Sequence, residues 1–223
     1  MHDTQLASDR ATALALIGPV SRETENALAL YLDRLRDWQR IKNLVGPATL
    51  AEPWVRHIAD SAQLLPLASH ALRWADLGSG AGFPGLVIAI LLAGRAGAEV
   101  HLIESNARKC AFLREVARLT GAPARVHAGR IEDVLPELAP ALDVVCSRAL
   151  ASPAQLVALT RLALDCGATG LFLTGKGSDD SAAERPGAGP LLERIASRTQ
   201  AGATILRVTA PRRGAGAPDG ASS

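Results

Sequence analysis

The strongest chemical signal in the chain is a glycine-rich segment at residues 76–85, whose sequence is Asp-Leu-Gly-Ser-Gly-Ala-Gly-Phe-Pro-Gly. It follows an apolar run that predicts a β-strand and leads into an apolar stretch that predicts a helix. Glycine lets the backbone approach a ligand where a Cβ atom would collide, and the first turn of a helix presents unpaired N–H groups to an anion. This turn therefore predicts a cofactor site, with Gly80 as a candidate contact.

Two classes of nucleoside cofactor fit this segment. Gly80-x-Gly82-x-x-Gly85 matches the dinucleotide-binding pattern, whereas Asp76-x-Gly78-x-Gly80-x-Gly82 matches the pattern of class I methyltransferases. Asp76 favours the second class, because a carboxylate at this place would repel a pyrophosphate and attract the ammonium group of S-adenosylmethionine. A tight turn that binds no ligand is a third interpretation.

Acidic residues after the next two predicted strands extend the same site. Glu104 closes the second strand, where a carboxylate can accept hydrogen bonds from the vicinal hydroxyls of a ribose. Both S-adenosylmethionine and NAD contain that ribose, and a solvent-facing acid is the alternative. After the third strand we expect Ile131 to pack on an adenine ring and Glu132 to face its polar atoms; an ordinary core role for Ile131 is the alternative.

The elements that would position these residues alternate regularly from Leu72 onward. Apolar runs without internal alternation, joined by helices, predict an α/β fold with a doubly wound, mostly parallel sheet. The predicted strands are Leu72–Leu77, Glu99–Ile103, Ala124–His127, Leu142–Cys146, Thr169–Thr174 and Thr204–Thr209. The predicted helices are Pro84–Ala93, Asn106–Leu119, Ile131–Leu138 and Pro153–Leu164, and a loop is predicted at Gly175–Pro190.

The first 70 residues have helical rather than alternating patterns. Apolar residues at spacings of three and four predict an amphipathic helix that ends at Leu44 and has Ser21 as its N-cap, followed by a helical stretch at Glu52–Leu67. The sequence thus predicts three regions: a helical cap at 1–70, a cofactor-binding catalytic domain at 71–213 and a disordered tail at 214–223.

Composition excludes several classes of protein. With 48% hydrophobic and 21% charged residues, the 223-residue chain has enough apolar side chains for a sizeable core. Aromatic residues make up only 3%, which argues against a stacking platform for single-stranded nucleic acid. Three cysteines without CxxC spacing argue against a disulfide scaffold or a zinc site, and we expect no metal and a cytoplasmic location. No apolar run approaches the roughly 20 residues of a membrane span, so no membrane partner is expected.

Positive charge is concentrated in one window. Residues 95–130 contain seven basic and three acidic residues, whereas the whole chain has a formal net charge of +2. Such a local excess can bind phosphates. A solvated helix face in an arginine-rich chain is the alternative.

Several short segments together resemble one family. The glycine-rich segment, Asn43-Leu44, Trp54-Val-Arg-His-Ile-Ala-Asp-Ser61, Ser147-Arg-Ala149 and Gly175-Lys-Gly177 are similar to those of the small-subunit ribosomal RNA guanine-N7 methyltransferase G family, also known as glucose-inhibited division protein B. The resemblance covers about residues 25–210. It implies a class I, Rossmann-like enzyme that transfers a methyl group from S-adenosylmethionine to N7 of a guanine in 16S ribosomal RNA. The implied partner is 16S RNA, the small subunit or its assembly intermediate, and we expect a monomer.

The resemblance also implies roles for individual residues. Its cofactor contacts fall on Gly78, Phe83, Ile131, Glu132 and Arg148.

Guanine N7 carries a lone pair and no proton, so a general base is not needed and positioning can lower the barrier. Arg148 and His57 are the positioning candidates, and Arg56, His57 and Lys176 are candidate RNA contacts. Alternatively, Arg148 pairs with Glu132 or Asp133, and His57 braces the helices against the sheet.

Three other functions fit the sequence less fully. They are a methyltransferase for a small molecule, an NAD-dependent dehydrogenase and a non-catalytic RNA-assembly factor that kept the fold. The segment after Lys176 is shorter and less helical than is usual in the family, and the tail after Arg213 has no counterpart there.

Overall fold

The computed structural model describes residues 2–41, 52–175 and 190–210, and its strands form one seven-stranded sheet. The strands are β1 (Arg73–Leu77), β2 (Glu99–Glu104), β3 (Ala124–Ala128), β4 (Val144–Arg148), β5 (Thr169–Thr174), β6 (Leu191–Ala196) and β7 (Thr204–Thr209). Their order across the sheet is β3-β2-β1-β4-β5-β7-β6, and β7 is antiparallel to both of its neighbours while the other pairs are parallel. The predicted mixed α/β class with a mostly parallel sheet is confirmed.

Helices cover both faces of the sheet. They are α1 (His2–Ile17), α2 (Arg22–Ile41), a π-helix (Trp54–Ala59), α3 (Asp60–Ala62), a 3-10 helix (Leu65–Ala68), α4 (Gly85–Leu92), α5 (Ala107–Thr120), α6 (Ile131–Leu138), a 3-10 turn (Ala139–Ala141) and α7 (Pro153–Asp165). Strand side chains alternate between the faces. Trp74 and Val100 therefore join the core formed by α4 and α5, whereas Ala75 and Ile103 join the core formed by α6 and α7.

Local sequence signals fix the helix ends next to the site. Asn106 Oδ1 accepts the N–H groups of Arg108 and Lys109 and so caps α5, which ends at Gly121 with a left-handed φ of 65°. Ser152 and Gln155 form a capping box at the start of α7. These caps set where the loops after β2 and β4 end.

The N-terminal helices share a core with the sheet. Leu28, Tyr31 and Leu35 of α2 are buried in the same cluster as Leu86 of α4 and Phe112 of α5. The side chain of Asp9 in α1 accepts the N–H groups of Trp54 and Val55 at the start of the π-helix. The cap thus reaches the site through both α2 and the π-helix.

Most predicted elements lie within two residues of the observed ones, but three features differ. The predicted helical stretch Glu52–Leu67 is divided into a π-helix, a short α-helix and a 3-10 helix. Strand β6 was not predicted, and α1 was not predicted as a separate helix. The predicted tail at 214–223, Asn43-Leu44 and most of the predicted loop lie outside the described residues. None of the helices that the structure describes is long and apolar enough to cross a membrane.

Candidate active site

The glycine-rich loop lies between β1 and α4, and its glycines are needed for two different reasons. Gly78, Gly80 and Gly82 have φ values of 67°, 57° and 97°, which L-residues with side chains rarely adopt. Gly85 has an ordinary φ, but a Cβ atom there would collide with a methyl group of Leu102 and lie 2.6 Å from Asp76. The first three glycines therefore shape the loop, whereas Gly85 lets α4 pack closely on β1 and β2.

Asp76 lies beneath this loop. Its side chain is fully buried, and Oδ2 accepts the N–H of Gly85 at 3.0 Å, at the start of α4. The other oxygen, Oδ1, is buried without a hydrogen-bond partner within the described residues. Burial raises the pKa of this carboxyl group to about 7. The expectation that Asp76 faces an ammonium group is therefore wrong, because its carboxyl group is enclosed between the loop and the start of α4.

Two cavities meet at Gly78, which lines both. The β2-side cavity, about 490 Å³, lies over the carboxyl ends of β2 and β3 and is lined by Glu104, Ile131 and Glu132 among others. The β4-side cavity, about 400 Å³, lies over the ends of β4 and β5. Leu150, whose Cδ1 would be 2.8 Å from a Cβ atom on residue 78, lies at the junction.

Glu104 ties the glycine-rich loop to the β2-side cavity. Its Oε2 accepts the N–H of Gly80 at 2.9 Å, and its Oε1 accepts the N–H of Asn106 at 2.8 Å. Each carboxylate oxygen can accept a second hydrogen bond. Glu104 therefore orders the loop and still has acceptor capacity for a ligand.

The β4-side cavity brings together residues from distant parts of the chain. Arg148, at the end of β4, donates from Nη1 to Nδ1 of His57 at 2.9 Å, and its guanidinium lies 4.8 Å from the ring centre of Phe83. The His57 ring stacks on Phe83 with centroids 4.5 Å apart. Because a guanidinium only donates, Nδ1 of His57 must be the acceptor in this contact.

Asp60 adds a carboxylate to this cavity. Its Oδ2 lies 4.0 Å from Arg148 Nη1, while Oδ1 accepts hydrogen bonds from Thr199 Oγ1 at 2.5 Å and Gln63 Nε2 at 2.9 Å. Burial raises the pKa of Asp60, and the hydrogen bond from Thr199 and the charge of Arg148 oppose that shift. Arg148 thus faces Asp60 and His57, and the alternative in which it pairs with Glu132 or Asp133 is wrong.

The turn between β6 and β7 forms a wall of the β4-side cavity that the sequence did not reveal. Ser197, Gln200, Ala203 and Thr204 line it. The turn is held to the helical cap because Gln63 Oε1 accepts the N–H of Arg198 at 2.9 Å. No residue type or spacing in this turn is characteristic of a site, so the sequence held no signal for it.

The structure divides the predicted site residues between the two cavities. The predicted residues that line the β4-side cavity are Gly80, Phe83, Arg148, Arg56 and His57, with Gly78 shared. Lys176 lies outside the described residues. Among residues 2–41, 52–175 and 190–210, no group of three or more His, Cys, Asp or Glu side chains is placed to hold a metal ion. The two cavities thus share one lining residue, Gly78.

Comparison with known proteins finds similar sequences over most of the chain. A sequence model of the family described as rRNA small subunit methyltransferase G matches residues 24–201. The "Ribosomal RNA small subunit methyltransferase G" of Methylobacterium radiotolerans is 56% identical over 207 residues, which cover 91% of this chain and 95% of that protein. The protein of the same name from Methylorubrum populi is 53% identical over 191 residues, covering 85% and 90% of the two chains.

Solved structures agree on the fold. The O-methyltransferase from Bacillus cereus, in complex with SAH, is 14% identical and has a TM-score of 0.56, with 94% of this chain and 100% of that chain covered. Cofactor-bound Rv0187 from MTB is 19% identical and has a TM-score of 0.59, with 92% and 97% covered. The predicted Rossmann-like methyltransferase fold is confirmed.

Proposed function

Since this chain belongs to the rRNA small subunit methyltransferase G family, we propose that it transfers a methyl group from S-adenosylmethionine to N7 of a guanine in 16S ribosomal RNA. The contact between Arg148 and His57 is the observation that carries the choice of N7. The histidine at the site uses Nδ1 to accept a hydrogen bond from a cation, so that nitrogen is not poised to remove a proton from a substrate. A nucleophile that carries no proton fits such a site.

The residues of the two cavities fit the proposed cofactor. In the β2-side cavity, Glu104 has acceptor capacity for ribose hydroxyls, Ile131 offers an apolar surface to a base, and Glu132 offers an acceptor at its edge. Gly78 lines both cavities and carries no Cβ atom, so its backbone can approach a ligand that extends from the β2-side cavity toward Phe83 and Arg148. When bound, S-adenosylmethionine supplies a methyl group made electrophilic by its sulfonium.

The residues of the β4-side cavity would position the guanine. Arg148 presents donors suited to guanine O6 or to a phosphate, which leaves the N7 lone pair available to attack the methyl group. Phe83 and His57 form a stacked aromatic wall beside Arg148. Arg56 and Lys176 are the proposed RNA contacts. Alignment and exclusion of water lower the barrier in a reaction that needs no proton transfer.

The remaining parts of the proposal concern the whole chain. We infer that residues 1–70 act as the helical cap and 71–213 as the catalytic domain of a cytoplasmic monomer. The substrate is the RNA of the small ribosomal subunit or of its assembly intermediate.

The test is to incubate the protein with methyl-labelled S-adenosylmethionine and small subunits from cells that lack the modification. We expect label at one nucleotide of 16S RNA, identified as 7-methylguanosine by mass mapping. Arg148→Ala should fold and lose at least about 100-fold in turnover. Arg125 is exposed and lies at the amino end of β3, away from the cavities, so Arg125→Ala should keep the turnover of the wild type. An unlabelled RNA, or a methyl group on another atom, contradicts the proposal.

A further inference from the structure

Because Asp76 is buried, a different residue must face the charged amino-acid end of the cofactor. Asp76 is fully buried beneath the loop, with Oδ2 used by Gly85. Asp60, in contrast, lines the β4-side cavity with Gly78 and Arg148, and its side chain keeps 14% exposure. Asp60 is therefore the carboxylate that a ligand crossing the loop can reach.

The two oxygens of Asp60 have different surroundings. Oδ1 is held by Thr199 and Gln63, which fix the orientation of the carboxylate. Oδ2 accepts no hydrogen bond from the part of the chain that the structure describes, and its nearest cation is Arg148 Nη1 at 4.0 Å. A largely buried carboxylate oxygen with a fixed direction and spare acceptor capacity suits a cationic donor.

Arg148 provides the complementary group. Its Nη1 donates to His57 Nδ1, whereas Nε and Nη2 have no hydrogen-bond partner among the described residues. These donors can form the bidentate pair that a guanidinium makes with a carboxylate. A donor pair on Arg148 and an acceptor on Asp60 thus lie side by side in one cavity.

We propose that Asp60 and Arg148 together bind the amino-acid end of S-adenosylmethionine, with Asp60 Oδ2 accepting from its ammonium group and Arg148 donating to its carboxylate. Adjacent opposite charges of the ligand match adjacent opposite charges of the site. The ligand reaches them because Gly78 lines both cavities, so the nucleoside lies beside Glu104 while the amino-acid end lies beside Asp60. This inference rests on the proposed use of S-adenosylmethionine.

The loss of hydration at the Asp60 carboxylate supports its assignment to the ammonium group of the cofactor. Burial raises the pKa of Asp60, which means that the empty site stabilises the ionised carboxylate less well than water does. A bound ammonium group would favour the ionised form and offset part of that penalty. The guanine substrate is the competing occupant, because its N1–H could also donate to Asp60.

Calorimetry on the full chain separates these cases with two ligands. S-adenosylhomocysteine carries the amino-acid end, and 5′-methylthioadenosine has the same nucleoside and thioether without it. We expect Asp60→Asn to bind S-adenosylhomocysteine at least tenfold more weakly than the wild type and to bind 5′-methylthioadenosine within twofold. Asp165→Asn, which removes an exposed carboxylate on α7, should bind both ligands like the wild type.

Several results would overturn the inference. These are unchanged affinity of Asp60→Asn for S-adenosylhomocysteine, an equal loss for both ligands, or unchanged affinity combined with lost RNA methylation, which would place Asp60 at the guanine. If Asp60→Asn fails to fold, the wild type should still bind an S-adenosylhomocysteine analogue without the amino group at least tenfold more weakly; equal affinity refutes the proposal. A wild type that binds neither nucleoside instead removes the proposed function itself.

Discussion

Single residues hold the glycine-rich loop from three sides. Asp76 accepts the N–H of Gly85 below the loop, Glu104 accepts the N–H of Gly80 from β2, and Tyr31 Oη donates to the carbonyl of Ala81 at 2.5 Å from α2. A loop fixed in this way keeps its left-handed glycines in place before a ligand arrives. Preorganisation of this kind lowers the entropic cost of binding.

Gly78 allows a direct test of the loop. Gly78→Ala forces an L-residue into a φ of 67° and directs a methyl group at Leu150, where the two cavities meet. We expect a loss of about 1 kcal/mol in the free energy of unfolding and at least a tenfold loss of affinity for S-adenosylhomocysteine. Urea denaturation and calorimetry measure the two effects.

The chain offers a matched control for the strain. Gly121 has a nearly identical φ of 65°, open space where a Cβ atom would lie, and a place at the far end of α5. Gly121→Ala should lose similar stability and keep full affinity. If Gly78→Ala binds as tightly as Gly121→Ala, the cofactor does not cross the loop at this point.

At the scale of elements, the junction of β1 and α4 depends on the protonation of Asp76. Its pKa in the folded protein is about 7, against an ordinary value of 3.8, so between these pH values the folded state binds the extra proton. The free energy of unfolding must then fall as pH rises through this range. Asp76→Asn removes the titration, so from pH 5 to pH 8 the wild type should lose up to about 3 kcal/mol relative to the variant.

Urea denaturation of both proteins at the two pH values measures this difference. Asp133→Asn, an exposed substitution in α6, controls for the removal of a surface carboxylate. Parallel behaviour of Asp76→Asn and the wild type across the range would show that the Asp76 pKa is not raised.

The sequence predicted the elements whose pattern is local. Strands β1, β2, β4 and β5 are short, mostly apolar runs bounded by turn residues, and β7 is β-branched, so these strands could be recognised without tertiary information. Strand β3 also contains Arg125 and His127, and its place between two helices supported its prediction. Strand β6, Leu-Leu-Glu-Arg-Ile-Ala, is an edge strand with largely exposed side chains and helix-forming residues. Its conformation comes from pairing with β7, which no local pattern records.

The candidate site shows the same division. The glycine-rich loop and Glu104 could be placed from sequence because each directly follows a predicted strand. The direction of Asp76 could not be predicted, because a carboxylate before a glycine turn can face either the ligand or the helix start. Nor could the contact of Arg148 with His57, since 91 residues separate them along the chain.

At the scale of the whole molecule, the basic residues of the window 95–130 lie on two sides of the sheet, one at the carboxyl ends of the parallel strands and the other at their amino ends. Arg108 and Arg130 are exposed beside the carboxyl ends of β2 and β3, next to the cavities. Arg95 follows α4 and donates to the carbonyl of Ser69, and Arg125 pairs with Glu99. Both of these arginines lie at the amino ends of the strands, away from the cavities. Of these four arginines, Arg108 and Arg130 are the two placed to contact RNA bound at the site, where Lys109 also lines the β2-side cavity.

The salt dependence of RNA binding tests this division. Arg108→Gln and Arg130→Gln should each lower the slope of log affinity against log salt by about 0.7–0.9, because each removes one phosphate contact. Filter binding of 16S RNA over a range of salt concentrations gives the slope. Arg125→Gln is the control. An equal change of the slope in that variant would mean that RNA does not bind preferentially at the carboxyl ends of the strands.

The single shared core of cap and sheet has a practical consequence for anyone who dissects this protein. A fragment started at β1 would lose Tyr31 from its loop and leave the buried face of α4 and α5 open to water. Such a piece would be prone to aggregate rather than serve as a minimal catalytic unit. By the same reasoning, a chimera that exchanges the N-terminal helices between relatives should fold only if the side chains of α4 and α5 that face these helices are exchanged as well.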